Sequence, residues 1–400
     1  MNLRGEKLPD TNRIAPVETE KSQSNRIDSL TSLRFLAALG IYFYHANPHF
    51  KFRGSDSSLD ILGIFSDIGF LGVPFFFQLS GFILTVVYEP RAFETSFPQA
   101  AANFKLFMIA RIARIYPLYL LALITSFILV PFDASSLKLD IGEIGVALIL
   151  TPLLLQAWFP KIALLWNPPG WSLSVELLFY LSFPVILKLL AKKKTRDLIP
   201  VYFYVIGLAG FTTILLTILS PVLGAAGPFL DPAARLHNFS RYFPLIHLPT
   251  FISGIILGLL YRQNTKPFFG LLSLAAKPII TILLFILPSI VNYLPYLHWH
   301  NWLLIPFFSL VIFVTAKQNK TSWILRSKPL VLLGEASYGF YLFHITILRL
   351  YSKLLQYLFG YKPLGIAHAI VCLIIACGFS IITFLCFERP ARRYIIQKYR

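Results

Sequence analysis

The sequence predicts an all-α polytopic membrane protein of about ten transmembrane helices, and three observations carry that expectation. Of the 400 residues, 56% are hydrophobic and only 14% charged, with a mean hydropathy of +0.68. That balance belongs to a chain dissolved in lipid rather than to a soluble domain with a large core. Apolar stretches then recur near 30–46, 67–88, 115–131, 171–191, 198–220, 244–261, 278–296, 300–316, 330–355 and 365–388. Finally, the basic residues are segregated. With ten crossings and both termini on one side, 27 of the 36 Lys and Arg fall on that side, which the positive-inside rule makes the cytoplasm. The formal charge of +18 therefore reads as basic loops at a lipid bilayer, and no nucleic-acid partner is expected.

Taken in order, residues 1–27 are polar and lack the apolar core of a cleavable signal, so a disordered cytoplasmic tail is expected there. Residues 28–390 form the membrane domain, and 391–400 a basic cytoplasmic tail. An eleventh apolar stretch, Ile144–Ala157, is shorter than the roughly 20 residues a crossing needs and carries Pro152. If it crossed, every later loop would flip and most basic residues would lie outside. It is expected instead as a re-entrant or outer-side short helix, within an excursion over about 132–170. Non-helical backbone at membrane depth survives only under cover of protein or a cavity, so the excursion should cap something. Cys372, Cys377 and Cys386 share the last apolar stretch without metal-ligand spacing and read as packing residues. Glu388-Arg389-Pro390 is expected to stop that helix.

The polar residues inside these stretches are few and patterned. Arg34 and His45 are eleven apart, which on a helix ends about 20° past three full turns and rises roughly 16 Å, so both share one face. Either each snorkels to its own interface, or the face lines an interior path. Imidazole is the side chain best suited to accept a hydroxyl proton near neutral pH. Ser80-Gly81 interrupts a wall of phenylalanines, permitting either close helix packing or close approach of a narrow ligand. Arg111 and Arg114 share a face at the entrance of the next crossing, where paired guanidiniums suit phosphate. Glu176 lies one turn into an apolar helix with Ser172 and Tyr180 on its face, and an ion pair with Arg34, His45 or another cation is expected. Ser337, Tyr341 and His344 form one polar stripe at i, i+4 and i+7.

In order along the chain, Arg34 with ten residues to His45, PheGlnLeuSerGlyPhe, ArgIleAlaArgIleTyrPro, TrpSerLeuSerValGlu, SerTyrGlyPheTyrLeuPheHis and PheGluArgPro resemble the acyltransferase family three of membrane proteins. These are bacterial O-acyltransferases of surface polysaccharides, and the resemblance covers about 30–395. It implies a ten-helix fold in the bacterial cytoplasmic (inner) membrane, acyl-CoA (acetyl-CoA) as cosubstrate with no permanently bound cofactor or metal, and a glycan or glycolipid acceptor. It maps catalytic roles onto Arg34 and His45, and donor binding onto Arg111 and Arg114, with Tyr116 completing that motif. Ser80 and Gly81 would let the pantetheine arm pass, Glu176 would orient the imidazole, and Trp171, Ser337, Tyr341 and His344 would meet the acceptor. The expected activity is transfer of an acyl group, most simply acetyl, to a sugar hydroxyl. The alternative is a multi-pass transporter using the same polar path, against which stands the lack of internal repeats.

Overall fold

A computed structural model of the chain describes residues 27–51, 66–88, 99–129, 140–224, 238–263, 293–317 and 323–399, with isolated positions between 279 and 290. The expected tail over 1–27 lies outside these residues except for Ile27, as does part of the apolar stretch 278–296. Among the described residues the chain is helical, without strands. Its helices are α1 (Asp28–Phe50), α2 (Gly72–Val87), α3 (Gln99–Leu129), α4 (Ile141–Leu150), α5 (Trp171–Leu190), α6 (Thr195–Gly224), α7 (Leu248–Arg262), α8 (Ile305–Ala316), α9 (Lys328–Phe359), α10 (Ile366–Thr383) and α11 (Arg389–Tyr399). Among the described residues seven helices are long and apolar enough to cross a membrane. An eighth span is completed if Tyr296–Leu303 joins α8 across a 49° bend. At 23 residues α1 is also membrane-length, about 34 Å.

Hydrogen bonds sort the loops into two ends. At one, Ser29 Oγ donates to the Thr315 carbonyl (2.9 Å), and Arg262 donates to the carbonyls of Thr85, Val86 and Tyr88 at the end of α2. Gln263 donates to the Lys193 carbonyl there as well. At the other end, Gly365 N–H donates to the Phe50 carbonyl, and Asn301 donates to the Ser240 carbonyl. The first set joins the segments that the charge count placed on one side.

Helices cross closely where glycine removes the side chain. A Cβ on Gly254 of α7 would sit 2.0 Å from the Gln78 carbonyl oxygen of α2, and one on Gly81 would sit 2.3 Å from that of Phe251. With the backbones in contact, Gln78 reaches past them and donates to Ser253 and Ser309, pinning α2 to α7 and α8. The exposed apolar side chains of α3, α6 and α10, such as Ile128, Phe211 and Ile374, suit a lipid-facing surface.

The segment Ile144–Ala157 is indeed too short to cross. Asp140 and Glu143 form a capping box that starts α4, and the helix ends after Leu150. Leu154 and Trp166 then take left-handed backbone, which turns the chain back on itself. Tyr119 donates to the Thr151 carbonyl (2.6 Å), whereas Asn167 donates to Ser126 and to the Leu342 carbonyl. Tyr119 and Ser126 lie seven residues apart on α3, so the excursion spans about 10 Å of depth.

Two expectations need correction. Pro390 does not stop the last helix. A π-helical turn over Phe384–Glu388 precedes it, and the helix continues through Pro390 into α11, the widened turn lying where the proline interrupts the regular hydrogen-bond ladder. The 391–400 tail is accordingly helical through Tyr399 and packs against α3. Of the cysteines, Cys372 is buried beneath Tyr42, but Cys386 is exposed on the outer surface and packs nothing.

Candidate active site

The helices α1, α2, α3, α5 and α9 line a partly open cavity whose space free of protein atoms, its open mouth included, is about 780 Å³. Its charged lining is Arg34, Arg111, Arg114 and Glu176, three guanidiniums against one carboxylate. Ser80, Ser172, Ser337, Tyr180, Tyr338 and Tyr341 supply hydroxyls, and Phe76, Phe77 and Ile83 the apolar wall. A net-positive cavity with low-dielectric walls attracts an anionic ligand, because those walls focus the field of the three guanidiniums.

Each charge is held differently. Arg111 is buried, donates to the Tyr88 hydroxyl (3.1 Å) and lies among the rings of Tyr88, Phe107 and Tyr180 at 5.4–6.0 Å. Its Nε has no partner, which leaves donor capacity for a ligand. Glu176 accepts from Tyr180 one turn on (2.5 Å). Among the described residues no ion pair closer than 4 Å ties Glu176 to an arginine; the attraction acts across the cavity. The Pro169 carbonyl accepts from both Ser172 (3.0 Å) and Tyr341 (3.2 Å), which ties the end of the excursion to two lining residues.

His45 lies farther along α1, and its partner is His344. α1 and α9 run parallel, with Gly334 against the Thr31 carbonyl near their starts and His45 against His344 beyond. Three contacts fix the imidazole pair. His344 Nδ1 is 2.6 Å from the Tyr341 carbonyl, so it carries the proton. Neutral His344 then accepts at Nε2 from His45 Nδ1 (3.1 Å), which also faces the Ile41 carbonyl (3.0 Å). Both acceptors demand a proton on His45 Nδ1. Its Nε2 is left with a bare lone pair, the state that a general base requires.

The sequence-predicted residues divide accordingly. Arg34, Ser80, Arg111, Arg114, Glu176, Ser337 and Tyr341 line one cavity, and His344 meets His45. His45 does not line that cavity. Tyr341 stands between, lining the cavity while its ring lies 5.9 Å from that of His344, so Arg34 and His45 do not open onto one continuous space here. Glu176 does not orient the imidazole, because its hydrogen bond goes to Tyr180. Gly81 faces the backbone of α7, which makes it a helix-crossing residue rather than a ligand gate. Tyr116 packs beside Tyr119, and Trp171 packs among Phe77, Tyr242, His247 and His300; neither lines the cavity. Sequence reasoning missed Tyr338 as a cavity group and Tyr88 as the partner of Arg111. Tyrosine in an apolar helix resembles ordinary core, and only the fold shows which hydroxyls face inward.

Comparison with known proteins identifies the family. Residues 27–385 match the family described as the acyltransferase domain. The acyltransferase MdmB of Streptomyces mycarofaciens is 28% identical over 354 residues, 84% of this chain and 82% of that protein. The peptidoglycan O-acetyltransferase OatA of Listeria monocytogenes is 27% identical over 360 residues, 84% of this chain but only 52% of that protein, so this chain spans about half of it. Protein 2 in the picA locus of Rhizobium radiobacter is 34% identical over 170 residues, covering 39% of this chain and 80% of that protein. No solved structure matches significantly. The chain belongs to the acyltransferase domain family and is a multi-pass membrane O-acyltransferase.

Proposed function

We propose that this protein transfers an acyl group, most simply acetyl, from cytoplasmic acyl-CoA to a sugar hydroxyl of an envelope or exported polysaccharide or its precursor. The end carrying Arg262 and Lys193 faces the cytoplasm, and the protein resides in the bacterial inner membrane. The observation that carries the reading is the order of the site along α1 and α9: a three-arginine cavity, then Tyr341, then an imidazole pair with a bare Nε2. Arg111 and Arg114 hold donor phosphates in bidentate contacts, and Arg34 neutralises charge deeper in the cavity. The thioester arm extends between Ser80 and Tyr341, and transfer requires the Tyr341 ring to swing aside.

His45 Nε2 takes the proton of the acceptor hydroxyl as that oxygen attacks the thioester carbonyl. The carbon–sulfur bond breaks, and the CoA thiolate leaves and is protonated. His344 keeps the Nδ1 proton of His45 in place and shares the positive charge that develops. The name of OatA supports a glycan acceptor, and its acetyl group supports the short acyl chain. The test is release of CoA thiol by purified protein given acetyl-CoA and a polysaccharide acceptor. Thiol release with wild-type protein and none with His45→Ala is the expected result. A transporter using this path would consume no acyl-CoA, and that result would end the proposal.

A further inference from the structure

At the His45 end stands a cation that the reaction above does not use. Arg241 precedes α7, on the helical turn at 238–242. Its guanidinium lies 4.4 Å from the ring centroid of Tyr296 and 5.4 Å from that of Tyr242, and it is hydrogen-bonded to Tyr44. Tyr44 is the chain neighbour of His45, their rings 5.2 Å apart, and the charge of Arg241 reaches His45 electrostatically. The backbone of Arg241 is pinned as well, since buried His247 donates from Nε2 to its carbonyl (3.0 Å). Among the described residues no carboxylate lies within 4 Å of Arg241, although it is only partly open to the surface.

A half-buried guanidinium framed by three tyrosines, with no carboxylate partner among the described residues, is held ready for an anion. Its planar fork matches a carboxylate or phosphate in two parallel hydrogen bonds, and the neighbouring rings offer flat faces to a sugar. We propose that Arg241, framed by Tyr44, Tyr242 and Tyr296, recognises an anionic group on the acceptor glycan, a carboxylate or phosphate, and so sets which hydroxyl faces His45. The assignment rests on the acyl-transfer reading for the word acceptor, but the binding itself does not.

The experiment measures binding without any acyl donor, using full-length protein in detergent. Three probes are compared by calorimetry: a tetrasaccharide alternating glucuronic acid with N-acetylglucosamine, a neutral N-acetylglucosamine tetrasaccharide, and glucose 6-phosphate against glucose. At least one anionic probe should bind about 10-fold or more tighter than its neutral counterpart, and which one identifies carboxylate or phosphate. R241Q should abolish that preference, R241K should keep part of it, and Y44F should weaken it a few-fold. Thermal unfolding of each variant shows whether it is folded, and R241K with Y44F carries the test if R241Q is not. Equal binding of anionic and neutral probes to the wild type, or an undiminished preference in folded R241Q, overturns the proposal. Preference without acyl-CoA consumption would leave the subsite standing and remove only the acyl-transfer reading.

Discussion

The arginine cavity and the imidazole pair solve opposite problems with the same two helices. In the cavity, charges stand apart: Arg34 and Arg114 make no ion pair among the described residues, and Arg111 leaves its Nε open. At the imidazoles nothing is left open except His45 Nε2, the nitrogen proposed to react. A site that must admit and release a large polyanion gains from unspent donors, since a protein counter-ion would compete with the ligand. A site that moves one proton gains from a tautomer with no freedom. Tyr341 belongs to both, with its hydroxyl on the Pro169 carbonyl and its carbonyl on His344.

Removing the reactive nitrogen should have the largest effect. His45→Ala is expected to lower kcat by about 100-fold to 10,000-fold in a thiol-release assay, with the KM for acyl-CoA little changed. The cavity should respond the other way. Arg111→Lys keeps the charge but loses the fork and the stacking among Tyr88, Phe107 and Tyr180, and should raise the KM for acyl-CoA by about 10-fold with a smaller change in kcat. Equal effects of both substitutions on both constants would erase the division of labour drawn here.

The imidazole pair can be sharpened further. His344→Gln retains a side-chain acceptor for His45 Nδ1–H, whereas His344→Leu removes it. The glutamine variant should retain several-fold more kcat than the leucine variant, and equal rates would mean that His344 only packs. The smallest catalytic effect is expected where the structure reassigned a residue to packing. Gly81→Ala should leave the KM for acyl-CoA within about 2-fold yet lower stability by about 1–3 kcal/mol, read as a drop in the thermal midpoint. A large KM change with unchanged stability would return Gly81 to the ligand path.

The parts of this site legible in the sequence were those with a local period. Arg34 and His45 share a face because eleven residues make just over three whole turns, and Ser337, Tyr341 and His344 form a stripe because four and seven residues make close to one and two turns. The pairing of Glu176 was not legible. A carboxylate in an apolar helix demands a partner, but any of several polar groups can satisfy it, and here Tyr180 on its own helix does. Nor could Gly81 be settled from sequence, since a bare backbone serves a ligand and a neighbouring helix equally well.

By itself, then, the sequence determined the all-α membrane architecture, the grouping of basic loops on one side, the shortness of 144–157 and most of the polar residues that line the cavity. Hydropathy, charge asymmetry and helical period act within a segment, so they survive without knowledge of the neighbours. Only the tertiary structure decided that three arginines share a cavity with Glu176, that His344 fixes the tautomer of His45, that Tyr341 separates the two, and that Arg241 stands beside them. These are contacts between residues up to about 300 positions apart in the chain, as with His45 and His344. They follow from how helices cross, which depends on glycine contacts such as Gly254 on Gln78 that no single helix records.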